Sequence, residues 1–348
     1  MENKEHHIVI SVIIPMYNIQ RYITTSLNRL KSQTLSQYLF EVVLVDDSST
    51  DDTFIIAKSF RGIRNLTVDK LKKNSGPGIA RNRGIELAKG DYILFLDGDD
   101  YLLESSLEKI FTIINNHDID VVTFNWTYYK DLIEQNPIPR RRDLDDMPMD
   151  RFYLTKHYLG MNMDGSVIYT LVKKSVLVKN NIKFPAGFHE DMSIIFQIYY
   201  SARNILKLNE IIYIKRDRPD SINHTFSKKH VYDYLSAWPK IMDFLIKKEG
   251  SSAKHKYRQD YLRGISGLVA TLIRKNLNIN SKNFNKRLEL YKCIVKSLKA
   301  NKYLADIKML PNITKKDKIT QLFLRSMLAK DLPIEKKVEF FEECGLNK

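Results

Sequence analysis

Cysteine is nearly absent from this chain, which has two, Cys293 and Cys344, in 348 residues. That scarcity excludes a disulfide framework and a cysteine-rich zinc site, and it fits a reducing compartment. Long apolar runs are also missing. No stretch approaches the roughly 18 residues needed to cross a bilayer. The apolar run after the polar segment 1–7 is too short for a secretion signal and contains Pro15. Neither a membrane span nor a leader is expected. Internal repeats and low-complexity tracts are lacking too. Surplus charge is lacking over most of the length, since residues 1–227 carry 29 Lys and Arg against 29 Asp and Glu.

What is present is a sizeable core, with 43% hydrophobic residues, and a basic C-terminal part. Residues 228–348 carry 27 Lys and Arg against 12 Asp and Glu, so the whole net charge of +15 lies there. Such asymmetry marks a domain boundary. The pattern before it is strand, helix, strand. Runs at 8–14, 40–45, 66–71 and 91–96 read as buried strands. Helical spacing falls at 22–33, 53–60, 77–87 and 103–116, with Pro77 suited to a first turn. Further on, 119–126 reads as a strand, 130–150 as a loop or lid, 169–180 and 190–202 as helices, and 205–214 as one or two strands. Helical periodicity runs from 230 onward. Strands alternating with helices predict an α/β domain, a Rossmann-like, mostly parallel sheet with flanking crossover helices, followed by an all-α region.

In such sheets ligands sit at the carboxyl ends of strands. Four consecutive strand ends carry polar residues: Tyr17-Asn18, Asp46-Asp47, Asn74 to Gly78, and Asp97-Gly98-Asp99-Asp100. Clustered carboxylates repel one another unless something positive joins them. Hard oxygen donors at a strand end suit a divalent cation carrying a diphosphate. The last stretch therefore proposes metal-dependent chemistry on a nucleotide, although alone it reads equally well as an acidic turn capping a helix.

Five segments in order resemble one family. They are 11–18 (Ser-Val-Ile-Ile-Pro-Met-Tyr-Asn), 45–51 (Val-Asp-Asp-Ser-Ser-Thr-Asp), 74–84 (Asn-Ser-Gly-Pro-Gly-Ile-Ala-Arg-Asn-Arg-Gly), 97–100, and His189-Glu190-Asp191. Together they resemble the bacterial inverting family 2 glycosyltransferases of GT-A fold, most like those that build teichoic acid, capsule or lipopolysaccharide glycans. The resemblance covers 12–226. It implies a GT-A catalytic domain over 1–227, with a nucleotide-binding half at 8–100 and an acceptor half at 101–227, before a basic helical domain at 228–348.

The resemblance assigns roles residue by residue. Asp99 ligates Mn²⁺ or Mg²⁺, and Asp97 contacts the ribose or a metal-bound water. Asp46 or Asp47 meets the uracil edge, or caps the following helix. Pro15, Tyr17 and Asn18 wall the base and ribose. Asn74, Gly76 and Gly98 border the diphosphate, with Arg81 as a fixed positive charge. Asp191 is the base that activates the acceptor hydroxyl, and Glu190 orients the acceptor; first-turn carboxylates also simply complement a helix dipole. Arg216, Arg218 and Ser221 would lie beside the diphosphate, with His224 as a third metal ligand or an ordinary loop histidine. The implied partners are a UDP-sugar and a glycan or lipid-linked acceptor, without nucleic acid. The implied location is the cytoplasm, where the basic tail could meet an anionic membrane surface at the inner face, or a polymer. Two rivals remain: a sugar-phosphate nucleotidyltransferase, and a non-catalytic binding protein or scaffold.

Overall fold

A computed structural model describes residues 7–129, 151–163, 166–217, 226–280, 282–304, 324–329, 333 and 335–337. Its elements run β1 (Ile10–Met16), α1 (Ile23–Lys31), β2 (Phe40–Asp46), α2 (Thr53–Ser59), β3 (Leu66–Lys70), α3 (Pro77–Leu87), β4 (Tyr92–Phe95), β5 (Tyr101–Leu102), α4 (Ser106–Asn116) and β6 (Val121–Tyr128). There follow α5 (Arg151–Leu159), β7 (Thr170–Lys173), α6 (Lys174–Lys179), α7 (Asp191–Ser201), β8 (Ile205–Lys215), α8 (Lys228–Glu249), α9 (Ala253–Lys256), α10 (Arg258–Ile279) and α11 (Phe284–Ala300). Two compact units emerge, one drawn from 1–149 and 165–217, the other from 150–164 and 218–348. Segment 150–164, read from sequence as part of the acceptor half, clusters with the helical unit.

The first unit is built on one eight-stranded mixed sheet of order β3-β2-β1-β4-β7-β6-β8-β5. Its β3-β2-β1-β4 half is wholly parallel. β2 is buried along its whole length and β1 nearly so, which is why both read as continuous β-branched runs rather than alternating ones. Met16 pairs with Asp46 and Asp46 with Lys70, so these strands end level with one another. The polar residues that follow them are thereby gathered along a single edge of the sheet.

The other half departs from the sequence reading at 169–180, which is a strand and a short helix rather than one helix. β7 runs antiparallel between β4 and β6. Only four residues long, it gives no room for an alternating pattern. Its buried Val172 stands four residues before the buried Val176 of α6, a spacing that reads as one helical face. β8 is one strand, parallel to β6, and the pairing shifts register around Asn125. The two-residue β5 pairs with β8, which brings the segment just after the acidic turn against the end of that strand.

The second unit is helical among its described residues. α8 buries Val231, Leu235, Trp238, Ile241 and Leu245, and α10 buries Leu262, Ile265, Leu268, Val269 and Leu272. α8 packs against α10 and α11, and α5 packs against α10. No helix among the described residues is long and apolar enough to cross a membrane.

Candidate active site

β1 delivers Pro15, half-buried, and then Tyr17 and Asn18, both exposed. Asn18 adopts φ 50°, a left-handed conformation that asparagine tolerates better than most residues. Its Oδ1 accepts from the Thr50 N–H at 2.9 Å, and its own N–H donates to Ser49 Oγ at 3.0 Å. The first two polar strand ends are thus tied together.

The two aspartates ending β2 do different work. Asp46 is fully buried. Its Oδ2 accepts from the Ser49 N–H at 3.0 Å and lies 3.4 Å from Lys70 Nζ, while its buried Oδ1 has no hydrogen-bond partner. Asp47 instead clamps the glycine loop, accepting from the Ser75 and Gly76 N–H groups at 2.7 Å each. Burial raises the Asp47 carboxyl above its ordinary value, against the pull of those two donors. Gly76 takes φ 91°, open to glycine, and hands the chain to α3 through Pro77. Asn74 is exposed at the loop's rim. Gly78 is needed for a different reason: a Cβ there would lie 2.5 Å from the Pro185 carbonyl oxygen and 2.8 Å from Glu190 Cγ. Only glycine lets α3 approach the segment that carries Glu190.

That approach sets the central interaction. Arg81, on α3 and only 5% exposed, donates from Nη2 to Asp97 Oδ1 at 2.8 Å and from Nη1 to Glu190 Oε1. The sequence reading aimed Arg81 at a diphosphate; in the structure its terminal nitrogens face two carboxylates. Burial opposes its charge, but Glu190, Asp97 and Asp191 outweigh burial and raise its pKa. Glu190 is buried and pushed up to about 7 by desolvation, with Arg81 pulling it down and Asp191 pushing it up. Asp191, first residue of α7, is also raised by burial, offset by Arg81 and by Ser166 Oγ, which donates to its Oδ2 at 2.7 Å.

The acidic turn after β4 is held from the far side of the sheet. Asp97 and Asp99 are half-buried; Gly98 and Asp100 are buried. Asp100 accepts from Tyr213 Oη at 2.6 Å and from the Arg216 N–H at 2.7 Å. Burial, then the charges of Asp99 and Asp97, raise its pKa well above the ordinary range. Lys215 stays charged because Asp100, Asp97 and Asp99 outweigh its desolvation. Arg216 Nε donates to the Asp99 carbonyl at 3.0 Å. Arg218, Ser221 and His224 lie outside the described residues.

Among the described residues, no group of three or more His, Cys, Asp or Glu side chains is arranged to hold a metal ion. The donor set still fits one. A magnesium-like cation takes one or two carboxylates and fills its remaining positions with phosphate oxygens and water. Asp99 supplies a hard oxygen donor, and a cation there would relieve the repulsion among Asp97, Asp99 and Asp100 that adds to the effect of burial on Asp100.

Residues 11–180 match the family model described as Glycosyl transferase family 2. The chain carries a family 2 glycosyltransferase domain. It is 35% identical over 211 residues to poly(ribitol-phosphate) beta-N-acetylglucosaminyltransferase TarS of Staphylococcus aureus, covering 58% of this chain and 34% of the relative. It is 27% identical over 327 residues to a poly(ribitol-phosphate) beta-glucosyltransferase of Bacillus spizizenii, covering 91% of this chain and 48% of the relative. The chain thus spans a third to a half of the length of these curated relatives. In fold it is similar to the crystal structure of S. aureus TarS 1–349 in complex with UDP-GlcNAc, with TM-score 0.68 and 21% identity over 98% of this chain and 93% of that one. The GT-A-like sheet with a helical C-terminal part is therefore shared.

Two site residues have no counterpart among the readings made from sequence. Ser166 and Tyr213 belong to none of the five matching segments, and each meets a partner distant along the chain: Ser166 and Asp191 are 25 positions apart, Tyr213 and Asp100 113. β8 buries Ile212, Tyr213 and Ile214 in succession, so no alternation marks Tyr213.

Proposed function

We propose that the protein is an inverting, metal-dependent glycosyltransferase that moves a sugar from a UDP-sugar to a hydroxyl of a polyol-phosphate or related cell-surface glycan. The observation that carries this reading is the Arg81 bridge, because it holds the acidic turn and the Glu190-Asp191 pair on one guanidinium. Inversion is a single displacement and needs a leaving-group site and a base together. The acceptor oxygen bonds the anomeric carbon, the bond to the UDP oxygen breaks, and the acceptor's proton passes to the Asp191 carboxylate. Glu190 is occupied by Arg81, so Asp191, held by Ser166, is the better placed base. A divalent cation at Asp99 would neutralise charge developing on the departing diphosphate. Pro15 and Tyr17 offer surface for a base, and the buried Asp46 pairs opposite Met16 on the neighbouring strand.

The poly(ribitol-phosphate) relatives support a phosphodiester polyol as acceptor class. The net charge of +15 confined to 228–348 supports an anionic partner for the helical unit, either that polymer or the inner membrane face, which would place the enzyme in the cytoplasm. The test uses purified protein, a panel of UDP-sugars with and without Mn²⁺, and poly(ribitol phosphate) as acceptor. Mn²⁺-dependent transfer that Asp191→Asn and Asp99→Asn each abolish is the expected result. Turnover intact in both variants would sink the assignment.

A further inference from the structure

Tyr213 lies near the carboxyl end of β8, with its ring fully buried. Its hydroxyl accepts the Asp97 N–H at 3.2 Å and donates to Asp100 Oδ2 at 2.6 Å. One oxygen thus ties both ends of the acidic turn. The ring itself is fixed by an aromatic stack: Tyr169 meets it edge-on at 5.5 Å, and Tyr169 lies parallel to Trp126 at 4.9 Å. Burial, followed by the charges of Asp100 and Asp97, pushes the phenol well above its ordinary value, so the hydroxyl keeps its proton to donate. Three carboxylates within four residues repel one another. A turn carrying them relaxes unless its backbone is held, and a site works best when its groups are held before the ligand arrives.

We propose that the Tyr213 hydroxyl is a positioning group that sets the backbone of the 97–100 turn, so that the Asp97 and Asp99 carboxylates are aimed at the donor's diphosphate and its cation. The proposal rests on the reading of that turn as the diphosphate site. It extends that reading to a residue 116 positions away in sequence.

Tyr213→Phe keeps the ring and removes only the hydroxyl. Tyr101→Phe is the matched control: Tyr101 is also buried, pairs opposite Ile214 on the same strand, and its hydroxyl has no hydrogen-bond partner. Asp100→Asn, which offers one acceptor where two are used, attacks the same bond from its other end. Each variant is compared with the wild type by amide hydrogen exchange over 96–100, by UDP affinity with and without Mn²⁺, and by kcat and KM for the UDP-sugar. Tyr213→Phe and Asp100→Asn should exchange at least about tenfold faster at the turn. They should bind UDP at least about tenfold more weakly with Mn²⁺, and within about twofold of wild type without it. Tyr101→Phe should match wild type throughout. Unchanged exchange or affinity in Tyr213→Phe, or an equal change in Tyr101→Phe, overturns the proposal. If wild-type UDP binding ignores Mn²⁺, the cation reading fails by itself. The positioning role is then decided by exchange at the turn and by UDP affinity, and unchanged values reject it.

Discussion

Arg81 and Asp97 form an ion pair of 2.8 Å in which the arginine is 5% exposed and the aspartate about a third exposed. A guanidinium taken out of water this far is tolerable only because Glu190 lies against its other terminal nitrogen. Arg81→Ala would leave two facing carboxylates without their cation. A loss of about 3–5 kcal/mol in unfolding free energy is expected, read by denaturant melts. Arg81→Lys keeps the charge but cannot fork to two partners. It should fold, with transfer reduced by about a hundredfold, since small misplacements of reacting groups cost that much. Wild-type turnover in Arg81→Lys would show that the bridge is only structural.

Asp47 supports a second prediction. Its two oxygens satisfy the Ser75 and Gly76 N–H groups, so Asp47→Asn sets an amide N–H against a backbone donor. A cost of about 1–3 kcal/mol is expected, together with weaker UDP binding through the loosened glycine loop. Asp46→Asn leaves that loop untouched. If the buried Asp46 Oδ1 serves a uracil edge, Asp46→Asn should weaken UDP binding without loosening the loop, and isothermal titration of both variants separates the roles.

Glu190 gives stability a pH dependence of unusual sign. Its folded-state pKa is raised to about 7 from the 4.5 of an unfolded chain, so the native state holds this proton more tightly. Glu190's contribution is therefore complete below the unfolded value and drains away as pH rises through about 7. Between those two values the loss approaches about 1.4 kcal/mol for each step of one in pH. Arg81, Asp191 and Asp97 are the charged groups that face it. Melts across this window should show stability falling with pH, and Glu190→Gln should flatten the slope. A wild-type curve already flat there would place Glu190's pKa near its ordinary value.

Activity should run the opposite way. Asp191 must be ionised to accept a proton, and its pKa is raised by burial, so the rate should climb with pH through a value higher than an ordinary aspartate's. Ser166 Oγ is one of the groups holding that pKa down. Ser166→Ala should move the acid limb of the pH–kcat/KM profile to higher pH while leaving the plateau close to wild type. An unmoved limb would mean that another group limits the rate.

How much of this is legible in the sequence depends on distance along the chain. The parallel strands β1 to β4 and their polar ends can be read because each signal is local: a β-branched run, then Asp, Asn or Gly where it stops. Asp97 stands out for the same reason, whereas Glu190 and Asp191, at the start of a helix, stand out only through the family resemblance. Arg81's partners are not foreseeable, since the pairing arises from α3 closing on the Glu190 segment over Gly78. β7 escapes because four residues packed on both faces look identical to part of a helix. Ser166 and Tyr213 carry no local signature, since their contacts exist only once β6, β7 and β8 have assembled.

The chain's two tryptophans allow the stability of the helical unit to be followed by itself. Trp126 belongs to β6 in the first unit and Trp238 to α8 in the second, so each unit carries its own reporter. Trp238 Nε1 donates to the Leu159 carbonyl at 3.2 Å, which fastens α5 to α8. Gly264 on α10 lies beneath that bond: a Cβ there would sit 1.9 Å from the Leu159 oxygen and 2.2 Å from Trp238 Nε1. Neither the backbone oxygen nor the packed indole can give way cheaply. Gly264→Ala should therefore break the bond and cost at least about 1–3 kcal/mol in the helical unit. In a Trp126→Phe background the remaining fluorescence comes from Trp238 alone. Its transition should move to lower denaturant in Gly264→Ala, with a red-shifted native spectrum as the indole loses its partner. In a Trp238→Phe background Trp126 reports the first unit, and Gly264→Ala should leave that transition in place. Equal displacement at both reporters would show that the two units unfold as one.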